Sequence, residues 1–473
     1  MMINLDGRRL LLAALAASVA FLVAAGGGPR GVLPAAAQDG APPLRLSSIV
    51  PFDAVLPAMP DPQKDQEAFD AYSWNAFIAL NWPAAPDKRG VPDADKKIGE
   101  KDLPTVWETY KSPKEVFRGD ATAAKDPGDW DDPPQVVPCE PLDGAPAPAP
   151  KELVLVTKSL EDLKQAESDA PLIDQNGHFV HYEIRLNRDE FEDIKKNRWW
   201  DSTTFTPGAK ITFSSGSVAG SRVGAMEIKA AWKILGTSDD PHRFHTARAL
   251  IAWPKPGDQG HYLCRTYTVG LVGFHVAHKT ENAPQWIWST FEHVDNYSGD
   301  VPSFFDPRCR ACPLNKKPRK PGGGWNQDPQ FIQSPPTQVQ PVAASLVRPE
   351  PPDLNAKAQE LLRRVNPKSV WQYYQLVSTQ WPFPPARPGK IRPPNGGTGV
   401  VQAVPAVLAN TTMETYLRPK SSCMHCHEKA KPGTDTSPYG KRTTPFTDFS
   451  YVLVEAYPAI ARRPTAKPNF SGH

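Results

Sequence analysis

Proline decides where regular structure can run in this chain. It supplies 54 of the 473 residues, about twice the usual share of ~5%. Each proline fixes φ and lacks a backbone donor, so it breaks helices and is kept out of sheet interiors. The prolines gather in three stretches. The first is Asp126 to Lys151, with alternating Ala and Pro from Ala145 to Pro150. The second spans 313–353 and contains Lys316-Lys317-Pro318-Arg319-Lys320 and Gly322-Gly323-Gly324. The third runs from Pro382 to Gly399. Read as linkers or ordered loops, they confine helices and strands to the segments between them.

Those segments differ in period. Phe69, Tyr72, Phe77 and Leu80 recur at helical spacing and predict a helix over 64–82, stopped by Pro83. From Glu152 to Val294 the pattern is that of strands, with candidates at 153–156, 179–184, 225–232, 249–253, 262–278 and 286–293, interrupted by a helix near Arg188–Asn197. Residues 354–380 return to helical periodicity through Leu361, Leu362, Val365, Trp371 and Leu376, broken near Asn366-Pro367. A further helix is expected near Val407–Leu417, and Thr447-Asp448 is expected to cap a last one reaching Ala456. Strands with few intervening helices predict an α+β fold, a mainly antiparallel β core with a smaller, mostly helical C-terminal segment. The expected divisions are a signal peptide at 1–37, a helical and loop region at 38–150, a β-rich domain at 151–312, a linker at 313–353 and a C-terminal region at 354–473.

Residues 1–37 have the layout of an export signal. Arg8 and Arg9 form a positive start, Leu10 to Ala25 an apolar core, and Ala35-Ala36-Ala37 a cleavage site. The apolar run is shorter than the ~20 residues that span a bilayer, and no later segment is apolar enough. The expected location is therefore the periplasm. A net charge of only +3 argues against general nucleic-acid binding.

The chemistry-bearing stretch is Cys423-Met424-His425-Cys426-His427. Two thiols three positions apart can each form a thioether to a vinyl group of one porphyrin, and the following His then supplies a nitrogen to its iron. A redox CxxC pair and half of a zinc site are the competing readings, but no second ligand pair follows Cys426. Cys309-Arg310-Ala311-Cys312 has the same spacing with Pro313 where the His would be, so it is no second haem site. Cys139, Cys264, Cys309 and Cys312 form an even remainder that allows three disulfide connectivities. Cys309–Cys312 locking a loop is favoured, and Cys139–Cys264 stays open beside it.

With this motif the sequence resembles the c-type cytochromes, and is similar to exported bacterial single-haem members in the flanking blocks Asn410–Thr415 and Thr447–Tyr451. The resemblance implies one covalently attached haem c, held by Cys423, Cys426 and His427. Many small members place a Met downstream as sixth iron ligand, whereas here no Met follows His427 and the only later His is His473. Met413, just before the motif, is the first candidate for that position. His275, His278 and His293 are the long-range candidates, for the iron or its pocket. On an unbroken strand His275 and His278 point to opposite faces, so the three could share a bare metal ion only if the strand turned there.

The expected function is periplasmic electron transfer. One alternative is a haem-dependent oxidoreductase whose β-rich domain binds substrate, since the ~300 residues ahead of the C-terminal region exceed what a small carrier needs. Another is an open-iron sensor or peroxidase-like protein. The excess of Arg418, Lys420, Lys429, Lys431, Lys441 and Arg442 over Glu414, Glu428 and Asp435 around the motif suits an acidic redox partner protein.

Overall fold

The computed structural model describes residues 43–456 apart from 102, 121–122, 135–138, 143–152, 157–162, 164–169, 259–260, 334, 342–351, 387–401, 418–420 and 433–444. The expected signal peptide lies outside the described residues. The protein is α+β, with a mainly antiparallel sheet at its centre. The β-branched and aromatic run Tyr262–His278 becomes a 17-residue strand on which the sheet is built.

In chain order the strands are β1 (Leu153–Val156), β2 (His181–Leu186), β3 (Met226–Ile234), β4 (Thr246–Pro254), β5 (Tyr262–His278), β6 (Ile287–His293), β7 (Tyr374–Phe383) and β8 (Gln402–Val404). The sheet order is β8-β7-β6-β5-β3-β2. The first half of β5 pairs with β4 and its second half with β6. Only β1 on β4 and Glu140-Pro141 on β5 run parallel to a neighbour. Disulfides join Cys139 to Cys264 and Cys309 to Cys312.

Helix α1 (Pro62–Leu80) starts where Asp61 accepts hydrogen bonds from the Gln63 and Lys64 amides, with proline at its first position. It covers one face of the sheet. Ser73 Oγ bonds Ser289 Oγ and Thr379 Oγ1, both at 2.6 Å, and Phe77 stacks on Phe291 with centroids 4.3 Å apart. Trp74 and Phe77 are fully buried, each contributing about 1.5–3 kcal/mol by leaving water. Helix α2 (Arg188–Asn197) lies where the sequence puts it, and α3 (Pro352–Val365) ends at the expected break.

Three expectations are corrected. The helical reading of 366–380 gives way to a short turn and then β7. Residues 407–410 are irregular and 411–417 form turns, and 447–456 form a tight turn followed by a single 3-10 turn at Val452–Glu455. The strands β7 and β8 belong to the same sheet as β2–β6.

Candidate functional site

The motif folds as a five-residue helix, α4 (Cys423–His427), on the face of the sheet opposite α1. Gln380 of β7 anchors it: its Oε1 accepts from the Met424 amide at 2.8 Å and from Ser422 Oγ at 3.3 Å, while its Nε2 donates to the Pro405 carbonyl at 2.7 Å. Met424 points into the main core and is buried. Positions three apart share a helix face, so Cys423 and Cys426 present their thiols together, and neither is in a disulfide, whereas Cys139, Cys264, Cys309 and Cys312 are. Burial, then Glu414 and Cys426, push the Cys423 thiol up, so it is a neutral thiol at ordinary pH.

His427 is held by one nitrogen. Its Nδ1 donates to the Phe449 carbonyl at 2.8 Å, which leaves Nε2 as the nitrogen for a metal. Its ring packs at 4.4 Å from Trp288 and edge-on at 5.0 Å from Tyr451. Burial pulls its pKa down to about 4, so it is neutral at neutral pH. The carbonyl is aimed by an unusual turn, since Asp448 and Phe449 both take positive φ, 52° and 70°. Successive non-glycine residues in this region are uncommon and each costs about 1–2 kcal/mol. Three further bonds hold the turn in place: Asp448 pairs with buried Lys279 and accepts from the Phe213 amide at 2.8 Å, and Tyr451 Oη donates to the Cys426 carbonyl at 2.9 Å.

The sheet supplies the opposite wall. Register places Glu227, Ala277, Trp288 and Gln380 in one row, and Lys229, His275 and Thr290 in the next. Cross-strand partners share a face, so both rows look toward the segments that flank the motif. A third row holds Gly273 and Glu292. There the turn at 410–415 lies so close that a Cβ on Gly273 would fall 2.2 Å from Thr412 Oγ1. Asn410 Nδ2 donates to the Phe291 carbonyl at 2.8 Å and fixes that turn on β6.

Between these rows Glu227, Lys229, His275, Glu414, Cys423, Cys426 and His427 each keep some accessible surface on an otherwise buried sheet face. His275 and Glu414 combine exposures of 17% and 13% with strong desolvation: burial pushes the imidazole down to about 3 and the carboxyl up to about 7. These side chains are only partly covered where their neighbours on the face are buried. His275 Nε2 has no hydrogen-bond partner there. An unpartnered buried polar group costs on the order of 1–3 kcal/mol. Glu414 Oε2 is 3.6 Å away, beyond hydrogen-bond range, and accepts from the Asn410 amide at 2.8 Å instead.

The candidates separate accordingly. Cys423, Cys426, His427 and His275 face one region. His278 looks to the α1 side, where Tyr72 Oη bonds its Nδ1 and its Nε2 donates to the Val223 carbonyl. His293 Nε2 donates to the Arg243 carbonyl at 3.0 Å, and its Nδ1 accepts from the Asp295 amide at 3.1 Å. Met413 is fully buried in an apolar cluster with Leu172, Val180, Val272 and Phe304. Among the described residues no group of three His, Cys, Asp or Glu side chains is arranged for a bare metal ion. Of the charges around the motif, Lys429 is exposed, Lys431 lies over the Phe446 ring at 4.4 Å, and Glu414 is interior. Arg418, Lys420, Asp435, Lys441 and Arg442 lie outside the described residues.

The donor set suits a covalently held haem: two thiols outside any disulfide on one helix face, an imidazole oriented through its other nitrogen, and an orphaned imidazole nitrogen on the same sheet face. Gln380, Lys229 and Asp448 carry the site; the sequence reading assigns no role to the first two and only a helix cap to Asp448. The blocks 410–415 and 447–451, which flank the motif, are the only sequence signal that pointed near them. No family model, curated protein or solved structure matches the chain.

Proposed function

We propose that the protein is an exported single-haem c-type cytochrome that transfers electrons. The observation that carries this reading is the combination of Cys423 and Cys426, neither in a disulfide, with a His427 whose Nδ1 is already committed to the Phe449 carbonyl. When bound, the haem would supply a one-electron iron couple. The two thiols would hold it by thioethers, and Phe449 would keep the His427 ring from rotating away from the metal. His425 and Lys429 are exposed beside the motif, on the side a partner protein could reach. Two disulfides and a signal-like N-terminus favour the periplasm.

The test is expression of the full chain in a host with c-type haem-attachment machinery. The expected product keeps its haem through acid-acetone extraction and takes up one electron reversibly in a redox titration. Cys423→Ser or Cys426→Ser should red-shift the reduced α-band, and the double variant should lack covalent haem. Export without any covalent haem, or covalent haem in the double variant, would remove the reading.

A further inference from the structure

We infer that His275 supplies the sixth ligand to the haem iron, so that the iron is held by two imidazoles. The inference rests on the cytochrome reading above and adds a residue about 150 positions upstream of the attachment motif.

Three observations lead to it. The first is a process of elimination among the candidate donors. His278 and His293 have both ring nitrogens engaged, by Tyr72 and Val223 in one case and by Arg243 and Asp295 in the other. Met413 is packed in an apolar cluster. His275 alone of these has a buried nitrogen, Nε2, with no partner. The second observation is place. His427 packs on Trp288, whose cross-strand partner is Ala277, and His275 lies two residues along the same strand on the same face. That offset is about 7 Å. The two rings therefore lie over one sheet face, in neighbouring rows.

The third observation is rigidity. His275 sits three residues before the end of β5, with β3 on one side and β6 on the other, opposite Lys229 and Thr290. A ligand carried by a central strand needs no loop to close over the metal. Glu414, whose Oε2 is 3.6 Å from Nε2, is held back by the Asn410 amide and does not compete for that nitrogen. Together, the motif helix and the sheet would approach one group from two independent parts of the fold. This explains why the motif is built onto a nine-stranded sheet and not onto a small helical module.

The experiment uses the full chain matured with haem. Wild-type protein is examined by optical absorption, low-temperature electron paramagnetic resonance and exposure to carbon monoxide. The expected result is a low-spin ferric signal typical of two imidazoles and a ferrous form that does not bind carbon monoxide readily. His275→Ala should become high-spin and bind carbon monoxide, and added imidazole should restore the low-spin spectrum. His275→Met, which keeps the volume filled, should raise the reduction potential, as methionine ligation does. Met413→Leu should leave all spectra unchanged. Circular dichroism and haem content check that each variant is folded and loaded.

Covalent haem with a high-spin or methionine-ligated wild type overturns the assignment and leaves the cytochrome reading standing. A low-spin spectrum that persists in folded His275→Ala, or that is lost in Met413→Leu, also overturns it. Absence of covalent haem in the wild type removes both.

Discussion

At the scale of single residues the site depends on a charge pair that does not touch it. Asp448 and Lys279 are both buried, and their contact holds the turn that aims the Phe449 carbonyl at His427. Burial raises the Asp448 carboxyl to about 6 even with Lys279 beside it, so desolvation outweighs the attraction. Removing one partner of such a pair strands the other charge, at about 3–5 kcal/mol, whereas removing both is often near neutral. Asp448→Asn keeps an acceptor for the Phe213 amide and tolerates positive φ, so its effect isolates the lost charge. We predict that Asp448→Asn destabilises the protein by about 3–5 kcal/mol in denaturant unfolding at pH 7–8. Adding Lys279→Met should recover most of that loss. Equal losses in the single and double variants would mean that the turn is held by something other than the pair.

At the scale of elements, the motif helix is too short to be stable by itself, and its position is set by Gln380. Gln380→Leu would leave the Met424 amide, the Ser422 hydroxyl and the Pro405 carbonyl without their partner. Each orphaned buried group costs on the order of 1–3 kcal/mol. We expect a drop of about 2–4 kcal/mol by denaturant unfolding, together with a lower yield of covalent haem, since the thiols are no longer presented together. Unchanged stability and haem content would show that α4 is positioned by its core contacts alone. The sequence hid this role because Gln380 was read as helical. The strand β7 is buried on both faces, so its run Tyr374-Gln375-Leu376-Val377 lacks the alternation that identifies a half-exposed strand. The strands β3, β4 and β5 were recognisable from their β-branched runs. The turn at 410–415 escaped for a different reason. Asn410 Oδ1 accepts from the Thr412 amide at 2.9 Å and from its hydroxyl at 2.7 Å, local bonds that compete with a helix. Asp448 looked like a helix cap, and its real partners, Phe213 and Lys279, are far away in sequence. The attachment residues could be read from spacing alone, but everything that orients them comes from long-range pairing.

At the scale of the whole molecule the buried ionisable groups set how stability follows pH. Two sets oppose each other. Burial lowers His181, His278 and His293 to about 4. Their contribution is complete above the unfolded value near 6.5 and is lost as pH falls toward 4, because the unfolded chain takes up protons first. Burial raises Asp53 and Asp174 to about 7. Their contribution is complete below the unfolded value near 3.9 and is lost as pH rises through 7, because the folded chain then holds protons the unfolded one has released. Between about pH 4 and 6.5 the two slopes cancel in part, whereas between about 6.5 and 8 only the carboxyls still titrate. Thermal unfolding should therefore show a broad optimum on the acid side of neutrality and a falling midpoint from pH 6.5 to 8.

Asp174 tests the cause of that fall. Its Oδ1 accepts from the Asn176 and His178 amides at 2.9 and 2.8 Å, while its Oδ2 has no hydrogen-bond partner. Asparagine matches the protonated acid in shape and keeps both accepted bonds. Asp174→Asn should thus leave the midpoint nearly unchanged at pH 5 and raise it relative to wild type at pH 8, a gain on the order of 1–4 kcal/mol. Lys233, which lowers the Asp174 pKa, is already paired with Asp239 at 2.8 Å and would not be stranded by the change. A variant that loses as much stability at pH 8 as at pH 5 would show that the ionised carboxylate contributes to the fold, and the alkaline decline would need another source.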